Sequence, residues 1–106
     1  MAILENFGFV LASKKLMEPG SRVGYMYHED GDAPDDSGWR FFVGDETDEY
    51  VNNPDNISVY DIRSILEIDN SILDVIGTAK NGQWEKTEDG AFAKIEPAID
   101  EMDWEL

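Results

Sequence analysis

The sequence predicts one α+β domain, a mainly antiparallel sheet of about five strands with two short helices packed on one face. Three observations lead there. Strand-like alternation dominates the first half, apolar residues recur at helical spacing between positions 62 and 76, and Asp89-Gly90 marks a late hairpin. At 106 residues the chain suits one ordinary domain, residues 1–106, and is too short for two.

Phe7 to Ala12 is apolar on both alternating faces except at Gly8, as a central strand requires. Val23, Tyr25 and Tyr27 alternate with Gly24, Met26 and His28 in a second strand. Trp39 to Val43 makes a third, with Trp39, Phe41 and Val43 on one face and Arg40 and Phe42 on the other. Ile57 to Tyr60 adds a short fourth. Asp61 then caps a helix carrying Ile62, Ile65 and Leu66, and Ile72, Leu73 and Ile76 continue the spacing. One unbroken helix would set Asp69 within the apolar stripe, so a break at Asp69-Asn70 is expected, sparing that charge from burial. A two-residue turn at Asp89-Gly90 sets Glu85 opposite Lys94 and Trp84 opposite Ile95.

Charge is the extreme property. With 24 acidic and 8 basic side chains the formal net charge is -16. Such a chain repels nucleic-acid phosphates and anionic lipid and attracts basic partners. The acids fall in three groups: Glu29, Asp30, Asp32, Asp35 and Asp36, read as a loop; Asp45, Glu46, Asp48 and Glu49; and Glu96, Asp100, Glu101, Asp103 and Glu105, an acidic tail from about position 97. The absence of cysteine excludes disulfides, a thiol nucleophile and thiolate metal sites. No basic leader or long apolar run is visible, so a cytoplasmic protein without a membrane span is expected. Asn56-Ile57-Ser58 matches the glycosylation sequon, which carries no meaning without export.

Readable chemistry is scarce. Asp30-Gly31-Asp32 begins like a calcium loop, but Pro34 and Asp35 stand where a ligand and the glycine belong. The 45–49 group has no glycine at the required offset, and no metal or other cofactor is expected. His28 is the only histidine and sits beside Glu29 and Asp30, a setting for a solvated or ion-paired imidazole. Neither a nucleophile elbow nor a phosphate-cradling glycine loop appears. No residue is assigned a catalytic role.

The segment DSGWRFFVGDETDEY, residues 36–50, sets bulky aromatics directly beside four carboxylates. A strand buries the first half, and the second half must face water. Arg40 has Asp45, Glu46 and Glu49 within reach for a bidentate pair, which would pin the acidic turn to the strand.

The longer stretch DSGWRFFVGDETDEYVNNPDNISVYD resembles the signature of a bacterial family grouped with the immunity proteins of polymorphic toxin systems, immunity protein thirty-three. The likeness runs upstream through VLASKKLMEPGSRVGYMYHED and downstream through DIRSILEIDNSILDVIGTA, most of the chain. Its specific elements are Gly38-Trp39-Arg40-Phe41, Gly44-Asp45-Glu46 and Glu49-Tyr50. The resemblance implies a small cytoplasmic antitoxin that binds a cognate toxin, and it brings no catalytic residues. Together with the charge, it points to a non-enzymatic protein binding a basic toxin through Trp39, Arg40, Asp45, Glu46, Asp48, Glu49 and Tyr50. The rivals are a small hydrolase or metal-dependent enzyme using the Asp45–Glu49 carboxylates, and a housekeeping domain whose acidity serves solubility.

Overall fold

The computed structural model describes residues 8–29, 35–77 and 82–95. Its strands are β1 (Phe9–Ser13), β2 (Tyr25–His28), β3 (Asp36–Phe42), β4 (Ile57–Asp61), β5 (Gly82–Lys86) and β6 (Phe92–Ile95), and its α-helices are α1 (Asp48–Asn52), α2 (Ile62–Ile68) and α3 (Leu73–Ile76). Phe7, the first residue of the expected opening strand, and the acidic tail lie outside the described residues, as does the 30–34 part of the first acidic group.

The strands form one mixed sheet in the order β4-β1-β3-β2-β5-β6. That is six strands where about five are expected. β1 runs parallel to β3, and every other neighbouring pair is antiparallel.

Alternation along the strands decides which side chains meet the helices. Val10, Ala12, Met26, Phe41 and Trp84 are buried in one core with Ile62 and Ile65 of α2 and Val75 and Ile76 of α3. Trp39 joins them, its ring 5.5 Å from Trp84 and 6.2 Å from Phe41. Each of the larger aliphatic side chains and Phe41 contributes roughly 1.5–3 kcal/mol by leaving water, so the helix-covered face dominates the stability of the fold.

Asp61 caps α2 as expected, its carboxylate accepting from the Arg63 N–H at 2.8 Å. The break at Asp69 is also present, but Asp69 is buried rather than spared, at 7% exposure. It accepts hydrogen bonds from the Val23 and Ser71 backbone N–H groups, the Ser71 hydroxyl and the Lys86 ammonium. Those donors replace the lost water, which makes the burial tolerable. Burial by itself pushes the Asp69 carboxyl up, yet the bonds from Lys86 and Ser71 outweigh it and leave the group below the usual carboxylate range.

The hairpin differs by one position. Thr87 N–H bonds the Ala91 carbonyl and Gly90 N–H bonds the Thr87 carbonyl, closing a three-residue loop with Gly90 at φ 90°. Trp84 therefore faces Lys94 and Glu85 faces Ala93, replacing the expected ion pair with a Lys94 ammonium 5.8 Å from the Trp84 ring centre.

Candidate functional site

β3 carries the structural logic of the site. Between Phe9 opposite Asp36 and Leu11 opposite Arg40, β1 advances two residues and β3 four. This bulge holds Gly38 at φ 89°, where a Cβ would lie 2.1 Å from the Glu29 carbonyl oxygen. The two extra residues keep the strand's alternation in step, with Trp39 on the core face and Arg40 on the opposite face beside Asp36.

Arg40 does not pin the acidic turn. Its Nη1 and Nη2 donate to Asp36 Oδ1 and Oδ2 at 2.8 and 2.9 Å, and Nε donates to Glu29 Oε2 at 2.9 Å. The Asp36 carboxylate is 4% exposed, like the guanidinium, and Glu29 is half exposed. Asp36 opens β3 instead of lying in a loop, so residues four apart on one strand share a face. The Asp36 bond, against the cost of burial and with help from Glu29, holds the guanidinium even further above its usual range.

The turn is clamped by its own residues. Glu46 accepts from the Val43 and Gly44 backbone N–H groups through Oε2 and Oε1, both at 2.9 Å. Thr47 Oγ1 caps α1 by accepting from the Tyr50 N–H at 3.1 Å, and Asp48 and Glu49 fill the first turn. Lys15 donates to Asp45 at 3.2 Å and lies 5.3 Å from the Tyr50 ring centre. That hydrogen bond, aided by the charge of Glu46, raises the Lys15 pKa. Asp45, Asp48 and Glu49 remain exposed, and Tyr50 is half-buried.

Beyond Arg40 the same sheet face is aromatic. Tyr25 stands opposite Phe42, and Tyr27 opposite Arg40. Tyr27 and Phe42 stack with ring centres 6.0 Å apart, and Tyr25 lies 5.9 Å from Phe42. Burial raises the pKa of both tyrosines, with the Glu29 charge adding to the effect at Tyr27. A cleft of about 200 Å³ opens among Tyr25, Tyr27, Phe42, Gly44, Glu46 and Val51. His28, at the end of β2, packs 4.9 Å from Trp39 and meets the Ser37 carbonyl at 3.0 Å through Nε2.

The expected site residues thus divide. Asp45, Glu46, Asp48, Glu49 and Tyr50 share one capped turn, whereas Trp39 is in the core and Arg40 is buried in a triad with Asp36 and Glu29. Sequence reading missed Tyr25, Tyr27 and Val51 as neighbours of the turn. The strand alternation already put both tyrosines on one face, but only the sheet order places that face beside Gly44. Among the described residues no group of three or more His, Asp or Glu side chains is placed to hold a metal ion. No helix among them is long and apolar enough to cross a membrane.

Fold and site together define a single-domain mixed-sheet protein that presents a capped acidic turn beside an aromatic cleft. The family model for the immunity protein Imm33 domain matches residues 10–96, from β1 to just past β6. The chain belongs to this immunity-protein family. Neither the curated proteins nor the solved structures contain a match to it.

Proposed function

We propose that the protein neutralises a cognate toxin of a polymorphic toxin system by binding it through the acidic turn, without catalysis and in the cytoplasm. Family membership supports an immunity role. The observation that carries the choice of surface is the Glu46 clamp, which holds one carboxylate against the backbone while Asp45, Asp48 and Glu49 project into solvent. A rigid display of negative charge suits a basic partner, because the acids need little reordering on contact. In this reading Asp45, Glu46, Asp48, Glu49 and Tyr50 meet the toxin, and Trp39 and Arg40 hold the strand behind them.

The experiment pairs the protein with the product of any toxin-like gene found adjacent to its own. Co-expression should restore growth of cells producing that product, and calorimetry should show a saturable complex that weakens with salt. Absence of both protection and binding would sink the proposal.

A further inference from the structure

We infer that the cleft beside the turn is a docking site for an arginine side chain of the partner protein, an inference that rests on the toxin-binding reading above. The sheet has two aromatic faces with different fates. On the helix-covered face Trp39, Phe41 and Trp84 are sealed at 6% exposure or less. On the opposite face Tyr25 and Tyr27 remain half-buried and, with Phe42, wall an open cleft.

Charge selects the occupant. Glu46 lines the cleft, and Glu85 stands directly across from Tyr25 on the same face. Arg40 neighbours Tyr27, but its single charge is shared between the Asp36 and Glu29 carboxylates, leaving that triad net negative. The strand lysines are elsewhere: Lys86 binds Asp69 at the helix junction, and Lys94 lies over Trp84 on the core face. Among the described strand residues, the open face therefore offers aromatic rings bracketed by carboxylates with no surplus cation.

A guanidinium fits this pattern better than an ammonium. Its plane stacks on a tyrosine ring while its edge donors fork toward carboxylate oxygens. Lysine brings only a compact, strongly hydrated charge. The Tyr25 hydroxyl is already committed to Gln83 Oε1 at 2.9 Å, which fixes that ring as a wall of the cleft.

Two probes test this. The first is N-acetyl-arginine amide at millimolar concentration, followed by NMR, with the uncharged citrulline analogue as control. The Tyr25 and Tyr27 ring protons should shift with arginine and not with citrulline; no shift, or equal shifts, would overturn the cation site. The second probe is the product of any toxin-like gene found adjacent to this one. Tyr27→Leu keeps apolar bulk without the ring and should weaken binding about 3- to 30-fold. Since Tyr27 also supports the sheet, Val51→Lys at an exposed helix position provides a second variant, placing a tethered cation at the cleft. It should weaken binding about tenfold, the order expected of losing one such contact, with the melting temperature unchanged. Unchanged binding by both variants would overturn the inference and leave the toxin-binding reading intact. Arginine-induced shifts with no wild-type complex would instead remove the toxin as occupant, and with it the reading on which the inference rests. A homodimer split by Val51→Lys would assign the cleft to a second copy and overturn the inference.

Discussion

Two buried charges test the fold at the scale of single residues. Arg40→Ala would leave the Asp36 carboxylate, 4% exposed, without its bidentate partner. Removing one member of such a pair costs about 3–5 kcal/mol, and the loss should appear in urea denaturation. A change below about 1 kcal/mol would mean that water reaches Asp36 and that the pair is a surface one. Asp69 makes a pH-dependent case. Its folded carboxyl titrates below the unfolded value of about 3.9, so its contribution is fully present above that pH and is lost as pH falls through the folded pKa. Asp69→Asn should therefore cost a constant amount from about pH 5 to 8, and the gap to wild type should narrow below about pH 4. An equal gap at pH 3 and pH 7 would refute the role given to its ionised form. Neither partner choice was legible in the sequence. Asp36 reads as loop because Pro34, Ser37 and Gly38 surround it, yet the bulge draws it into β3, four residues from Arg40. Asp69 reads as a charge to be kept in water, because its donors come from positions 23, 71 and 86 and meet only in three dimensions.

At the scale of elements, the strands and the helices after Asp61 were readable, since periodicity reports which face is buried. The capping of α2 by Asp61 and the break at Asp69 were equally readable, because they depend on neighbours in sequence. Registers were not. The hairpin slips by one because Glu88, Asp89 and Gly90 all enter the loop, with Gly90 at positive φ. The short α1 was missed although Thr47 followed by Asp48 and Glu49 is a fair start signal. Glycine substitutions separate the two special turns. Gly90→Ala meets nothing within 4 Å and should cost only the backbone strain, about 1 kcal/mol. Gly38→Ala adds a collision with the Glu29 carbonyl at 2.1 Å to the same strain, so a loss of about 3 kcal/mol or more is expected. Equal melting temperatures for the two variants would show that the β3 bulge relaxes freely.

For the whole molecule, the deciding quantity is the imbalance of 24 acids against 8 bases. Several of the bases are already engaged internally, Lys15 with Asp45, Arg40 with Asp36, Arg63 with Asp61 and Lys86 with Asp69. The field that reaches a distant partner is consequently negative. At physiological salt that field is screened over about 8 Å, so it acts on encounter more than on the finished complex. The exposed acids of the turn can be neutralised without unfolding it, provided Glu46 is left in place to hold the Val43 and Gly44 N–H groups. A triple variant, Asp45→Asn with Asp48→Asn and Glu49→Gln, should slow association with the neighbouring-gene product about tenfold at low salt and flatten its salt dependence. Dissociation should change little, because residence depends on desolvated anchors rather than on rim charge. Stopped-flow measurements at several salt concentrations resolve the two rates. If association and its salt slope match wild type, the 45–49 carboxylates play no part in encounter. Steering would then have to come from the acids outside this turn.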